Sequence, residues 1–339
     1  MTTVILASLL LIAAATAVWL AMRALLPRLI AWDVMDRPNA RSSHVQPVPR
    51  GGGLAVVAGL MLPLVAFGAL AFPSSPAVAV VIGGCFAGLA ALSWRDDRKS
   101  LPASVRLAAH ALAVAATLVV LPTEILAFQG WLPLPLDRVV AGLVWIWFIN
   151  LYNFMDGIDG ITGTETASIG VGLALVVMMG GLSPELVYLG AALAGVSIGF
   201  LLWNWSPARV FLGDVGSIPL GYAVGLALLL LAGHGYLAAA LILPLYYLMD
   251  ATTTLLRRLL RGAPVWQAHR EHAYQTAAAV IGHAPVVIRL AGLNAVLIVL
   301  AVLSTVFQTA MSQWLTIAVA MILTSALLLY FHRLGRAAS

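Results

Sequence analysis

Arg138-Val-Val-Ala-Gly-Leu-Val-Trp-Ile-Trp-Phe-Ile-Asn150-Leu-Tyr-Asn153-Phe-Met-Asp156-Gly-Ile-Asp159-Gly-Ile-Thr-Gly163 sets the terms for the whole chain. Its first part, 138–155, is apolar and close to the roughly 20 residues a helix needs to cross a bilayer core about 30 Å thick. Its second part delivers acids to one mouth of that helix. Polar groups recur every three residues, so Asn150, Asn153, Asp156 and Asp159 line one drifting stripe while the segment stays helical. Gly157, Gly160 and Gly163 then loosen the backbone and let a ligand approach closely. A packing stripe between membrane helices would use one Asn, not two Asn and two Asp. The Asp-Gly-x-Asp-Gly pattern is also similar to a calcium loop, but the twelfth-position Glu of an EF-hand is missing.

Working outward, the rest of the 339 residues is of the same kind. Apolar residues make up 62% and charged residues 9%, with a mean hydropathy of +1.01. A soluble domain carries roughly 25% charged residues to wet its surface. The composition therefore excludes a soluble, disordered or disulfide-stapled fold and predicts an all-α, polytopic membrane bundle. The single cysteine, Cys85, allows no intrachain disulfide and no thiolate cluster. Eleven stretches read as spans: about 2–26, 51–72, 77–94, 103–121, 138–155, 164–181, 185–203, 216–232, 237–256, 286–307 and 314–332. Several are short and rich in glycine, as closely packed membrane helices are. No internal repeat and no separate soluble domain is visible.

Lys and Arg are retained on the cytoplasmic side. Alternate loops hold Arg28, Arg37, Arg41 and Arg50, then Arg95, Arg98 and Lys99, then Arg209, then Arg257, Arg258, Arg261 and Arg270, and lastly Arg333 and Arg336; the opposite loops hold Arg138. The amino terminus is therefore expected outside and the carboxyl terminus inside. Of the thirteen acids, Glu124, Asp137 and Glu185 fall outside and nearly all others at the inner face. Ionisable groups next to hydrocarbon are costly and usually functional. The chemistry is expected in loops about 27–50, 95–102, 153–163, 204–215 and 257–285 of one integral-membrane unit.

Four further segments carry candidates. Arg95-Asp96-Asp97-Arg98-Lys99 places adjacent carboxylates at a helix end, where they could bind Mg²⁺ or take a proton, or simply cap the helix; Arg106 nearby could hold a lipid phosphate. In Phe211-Leu-Gly213-Asp214-Val-Gly216-Ser217, Asp214 suits a hard metal, while Phe211 could stack on a base or face lipid at the interface. His269-Arg270-Glu271-His272 suits a diphosphate, with no Cys or third His nearby to complete a zinc site. Arg41-Ser-Ser-His44-Val-Gln-Pro47-Val-Pro49-Arg50-Gly51-Gly52-Gly53 offers cations and amides to anionic oxygens, though it lacks the Walker pattern.

In order and spacing these segments resemble the polyprenyl-phosphate N-acetylhexosamine-1-phosphate transferases, over about Asp36 to Gln275. The loop 41–53 is similar to that family's His-x-x-Pro-x-Pro-Arg-x-Gly-Gly element, Asp96-Asp97 to its Asp pair, and Arg106 stands where a Lys is common. Asn150–Gly160 and Phe211–Ser217 match its two remaining signatures. The resemblance implies that Asp214 and Asn153 hold Mg²⁺, with Mn²⁺ able to substitute. It implies that Asp159, Asn204 and Phe211 hold uridine, and that Asp96 and Asp97 act catalytically on the lipid phosphate or the metal. Arg270 and His272 would contact the diphosphate, with His44, Arg50, Arg106, Asn150 and Asp156 also on substrate. Tyr274 and Gln275 stand where other branches carry histidines, which looks like the branch initiating O-antigen or A-band lipopolysaccharide.

The implied reaction moves an N-acetylhexosamine 1-phosphate from its UDP-sugar to undecaprenyl phosphate at the cytoplasmic face of the bacterial inner membrane. The sugar would be N-acetylglucosamine or a 6-deoxy sugar such as N-acetylfucosamine. Nucleic acid is not among the partners; a homodimer is allowed. The alternatives are a transferase initiating cell-wall or common-antigen synthesis, a transporter, whose site would lie near mid-membrane, and an intramembrane aspartyl protease, which would need two facing Asp.

Overall fold

The structure, a computed structural model, describes residues 1–38, 46–263 and 269–337. Among them, ten helices are long and apolar enough to cross a membrane. These are α1 (Thr2–Ala31), α2 (Gly53–Ala71), α3 (Pro76–Arg98), α4 (Ala103–Val120), α5 (Leu134–Phe154), α6 (Ile161–Met179), α7 (Pro184–Asn204), α8 (Asp214–Gly233), α12 (His283–Val306) and α13 (Ala310–Ala337). Every backbone polar group must be satisfied within the segment when lipid surrounds it, which is why the apolar runs become helices.

The ninth expected span, 237–256, is not one helix. It is split into α9 (Leu237–Ile242) and α10 (Leu245–Leu260) at Leu243–Pro244, because a proline has no amide hydrogen to continue the ladder. The two pieces still carry the chain across. At the start of α9 the Tyr236 hydroxyl donates to the Gly180 carbonyl at the far end of α6. Past the end of α10 the Tyr274 hydroxyl donates to the Phe154 carbonyl at the acid-bearing end of α5. Two small elements were not legible in the sequence: a short helix, α11 (Ala273–Ile281), and a hairpin of β1 (Met35–Asp36) with β2 (Val48–Pro49), in register Met35 opposite Pro49.

At the centre stands α8, whose apolar window is 94% buried. A helix apolar all round must be enclosed on every side. Small residues make the enclosure tight: Gly170 and Gly190 bring α6 and α7 together, and Gly195 and Gly199 bring α7 onto α1. The closest meeting is where α2 begins against α8. A methyl group on Gly53 would fall inside contact distance of the Gly216 Cα and amide nitrogen, and one on Gly216 would lie 2.7 Å from the Gly53 Cα. Backbone cannot give way as a side chain can, so Gly53→Ala should cost about 3 kcal/mol or more. The expected result is a lowered unfolding midpoint in detergent, with Gly84→Ala, whose added methyl meets nothing within 4 Å, as the unchanged comparison.

Candidate active site

The amino end of α8 is where the distant segments meet. Asp97, near the end of α3, has a fully buried side chain. Its Oδ1 accepts the Asp214 amide at 3.0 Å and its Oδ2 the Val215 amide at 2.9 Å. These amides have no partner inside the helix, and a carboxylate complements the positive pole they form. Asp97 thus fastens α3 to the first turn of α8 and fixes where Asp214 points.

Arg50 completes the junction. Its Nη2 lies 2.8 Å from both Asp97 Oδ1 and Asp214 Oδ1. Burial works against its charge, but Asp214 and Asp97, with Asp36 and Asp156 beyond them, outweigh burial and hold the guanidinium above its ordinary pKa. The other member of the acid pair, Asp96, turns away. It accepts the Leu101 amide at 2.5 Å and pairs with Arg106 Nη1 at 3.2 Å. Arg106 also faces Asp214 Oδ2 at 3.7 Å. From α5, Asn153 Nδ2 donates to Asp214 Oδ1 at 3.0 Å and to the Ser217 hydroxyl at 2.9 Å. Five of the expected residues, Arg50, Asp97, Arg106, Asn153 and Asp214, therefore form one charged centre, with Asp96 attached through Arg106. An arginine between Asp97 and Asp214 is unlike a protease dyad, in which two carboxyls share a proton.

The glycine loop does other work than expected. The amides of Gly51, Gly52 and Gly53 are not offered to an anion. The first two donate to the Phe211 carbonyl and the third to the Leu212 carbonyl, while the Phe211 amide donates to the Pro49 carbonyl. The loop is sewn to the 211–213 segment, which holds the half-buried Phe211 beside Arg50. His44 and Arg41 lie outside the described residues.

A second cluster surrounds the turn 156–160. Asp159 accepts the Ala208 amide at 3.1 Å on Oδ2, and the same oxygen is 3.1 Å from His283 Nδ1. Burial opposes its charge, but His283 and the Ala208 amide outweigh it, leaving the carboxyl below its ordinary pKa. Asn204 is buried with both ends of its amide on the main chain, accepting from Gly160 and donating to Val210, each at 2.8 Å. It is therefore placed to shape the turn. Asp156 is pushed up to about 7 by burial, with Asp214 adding to the rise while the Thr162 hydroxyl and Arg50 oppose it. Asn150, half-buried on α5, donates to its own helix at the Ile146 carbonyl, 2.7 Å away.

The third cluster starts α11. Asp250, fully buried on α10, accepts the Ala273 and Tyr274 amides at 3.0 and 3.2 Å, much as Asp97 does for α8. His272 is 2% exposed. Its Nδ1 is 3.5 Å from Asp250, and its ring stacks between His269 and Tyr274 at 4.9 and 5.7 Å. The His272 ring is thus enclosed, whereas Arg270 is exposed. Burial, with the charges of His272 and Arg258, lowers the His269 pKa to about 4. Tyr274 is fully buried; a methyl on Gly157 would collide with its hydroxyl. Tyr274 is thus a packing element under the Asp156–Gly157 turn.

The donor set around Asp214 fits a hard divalent cation. Among the described residues no three His, Cys, Asp or Glu converge as a ready cage. Mg²⁺ rarely has one, since one or two carboxylates plus substrate phosphates and water suffice. Asp214 is 16% exposed at the side chain, and the Arg50 cation already sits on its Oδ1. Asn153 presents nitrogen to Asp214 in this arrangement, so ligation through its oxygen requires the amide to turn over.

Sequence reasoning missed His283 and the capping role of Asp250. An acid inside an apolar run, as Asp250 is, was a signal. His283 gave none, since it follows Gly282 like any residue opening a helix.

Comparison with known proteins places the central segment beside a described family. The family described as "Glycosyl transferase family 4" matches residues 78–232. The Bacillus subtilis (strain 168) protein described as "Probable undecaprenyl-phosphate N-acetylglucosaminyl 1-phosphate transferase" is 26% identical over 71% of this chain and 68% of its own length. A phospho-N-acetylmuramoyl-pentapeptide-transferase of Synechococcus sp. (strain RCC307) is 33% identical over 62% of the chain and 63% of its own. A decaprenyl-phosphate N-acetylglucosaminephosphotransferase of Mycolicibacterium smegmatis is 32% identical over 60% and 55%. The chain thus spans between about half and two thirds of the lengths of these relatives. Residues 78–232 thus match glycosyl transferase family 4, and these relatives of the chain are named as sugar-phosphate transferases, two of them acting on polyprenyl phosphates.

Proposed function

We propose that this chain transfers an N-acetylhexosamine 1-phosphate from a UDP-sugar to undecaprenyl phosphate at the cytoplasmic face of the bacterial inner membrane. UMP is released, and the lipid-linked product starts a glycan of the O-antigen type. One observation carries the reading: a single Arg50 nitrogen joins Asp97 and Asp214, with Arg106 and Asn153 on the same carboxylate. That is a mixed-sign centre, suited to substrates that are both anionic. Its position among the Arg-rich loops supports the cytoplasmic side.

A phosphate oxygen of the lipid attacks the β-phosphorus of the donor. The new P–O bond forms as the bond to the bridging oxygen breaks, and the electron pair leaves with UMP. The barrier is mainly charge repulsion and positioning. Arg50 and Arg106 offset the charge of the two phosphates. Asp214, with Asn153, would hold Mg²⁺, whose charge would supply neutralisation of the leaving phosphate. The lipid phosphate loses its last proton at about pH 6–7, as other phosphomonoesters do, so a strong base is not needed. Asp96 and Asp97 accordingly serve by position, one holding Arg106 and the other holding α8 and Arg50. With both Asp97 oxygens on amides, one displacement is favoured over a phospho-aspartate route.

Purified protein in detergent with undecaprenyl phosphate and Mg²⁺ should release UMP from UDP-N-acetylglucosamine or UDP-N-acetylfucosamine, measured by a coupled nucleotide assay. Two relatives are named for N-acetylglucosamine and one for an N-acetylmuramoyl pentapeptide. UDP-N-acetylmuramoyl-pentapeptide therefore belongs in the same panel, and turnover of it alone would assign the chain to cell-wall synthesis. No UMP from any donor would overturn the transferase reading.

A further inference from the structure

We propose that His283 is a positioning residue of the donor site, acting through Asp159; the inference rests on the transferase reading and adds a residue to it. His283 opens α12, far along the chain from the segment 78–232 that defines the family match. Its ring is mostly buried, at 14% side-chain exposure, and Nδ1 lies 3.1 Å from Asp159 Oδ2 and 3.4 Å from the Asp159 amide nitrogen. Among the described residues, Asp159 is its ion-pair partner.

The effect is to fix one carboxylate in a turn that would otherwise be loose. The turn 156–160 contains two glycines and joins α5 to α6. It is tied down at three points. The Ala208 amide and the His283 ring share Asp159 Oδ2, and the Gly160 amide reaches Asn204 Oδ1. With Oδ2 pinned from two sides, the direction of the whole carboxylate is set before a ligand arrives. Preorganisation of this kind raises affinity by removing an ordering cost at binding.

A second contact shows that α12 is in fixed register against the segment that follows the turn. Asn294, further along α12, donates to the buried Glu165 of α6 at 2.7 Å. Both ends of the strut therefore bear on residues just before and just after the start of α6. The ring's partner is Asp159, while Asp214 pairs with Arg50 and Arg106, so His283 acts on how the donor binds and not on the bonds that break.

The test measures UMP release as each substrate is varied, for the wild type, His283→Ala, His283→Asn and the double variant Asp159→Asn/His283→Ala, with unfolding midpoints recorded for all. His283→Ala should raise the KM for the UDP-sugar about tenfold, as loss of a group that orients a binding residue does. The kcat and the KM for the lipid phosphate should stay within about twofold, the pattern of lost uniform binding. His283→Asn, whose amide can reach Asp159 from the Nδ1 position, should restore most of the affinity. Asp159→Asn should add little once His283 is gone, because the two act as a unit. An unchanged donor KM in His283→Ala would overturn the inference. So would a loss spread over all constants, with a lowered midpoint and no rescue by Asn, which would make His283 merely structural. If the wild type itself releases no UMP, the transferase reading falls, and this inference with it. Wild-type turnover with an indifferent His283→Ala removes the inference alone.

Discussion

Asp214→Asn should reduce UMP release by on the order of 10³-fold or more, while the protein extracts and unfolds much like the wild type. The carboxylate sits where three groups of positive or donor character converge: Arg50 at 2.8 Å, Asn153 at 3.0 Å and Arg106 at 3.7 Å. An amide in its place keeps the size but loses the charge. It also presents either an N–H to a guanidinium or to another N–H, or only a neutral oxygen. A divalent cation bound through one or two carboxylates and substrate phosphates loses its main protein anchor. Affinity for Mg²⁺ should therefore fall together with turnover, readable as a higher Mg²⁺ concentration for half-maximal rate. The fold should survive because the α8 amides stay capped by Asp97. Near-normal turnover in this variant would remove Asp214 from the chemistry.

Arg50→Ala is expected to cost about 10²–10³-fold in turnover, for a different reason. Asp97 is fully buried at the side chain and Asp214 nearly so, and both rest on the same Arg50 nitrogen. Without that cation two carboxylates face each other across a few ångströms. Like charges at 4 Å repel by about 4 kcal/mol at an effective dielectric of 20. Two more anions, the donor diphosphate and the lipid phosphate, must then enter the same place. Arg50→Lys should recover part of the loss, because one nitrogen makes both contacts, but its shorter stem and lost fork prevent full recovery. Equal activity in Ala and Lys variants would show that the charge at position 50 is irrelevant. A comparison of initial rates at saturating Mg²⁺ separates that outcome from simple loss of metal.

Much of this was legible in the chain. The apolar runs gave the helices because nothing else can satisfy a backbone in lipid, and the skewed placement of acids and arginines marked one end of the bundle. What the spacing could not show is which donor meets which acceptor. Gly51–Gly53 read as open amides, yet their partners are carbonyls some 160 positions away. Asn204 read as a ligand residue, and the structure also gives its amide a main-chain partner at each end. Asp97 read as a reactive acid, and the structure gives it two helix amides and an arginine. In each case a polar residue type suits both a substrate and a piece of backbone, and only the packing of distant helices reveals the backbone partner. The break at Pro244 was visible as a residue, but hydropathy averaged over a window hid it.

The backbone seam between 49–53 and 211–212 has a dynamic consequence. Its four main-chain hydrogen bonds tie the stretch that carries Arg50 to the one that carries Phe211, so neither can swing without the other. Any opening of this face must hinge elsewhere, and a small molecule wedged into that stitch would displace Arg50 and Phe211 with one insertion.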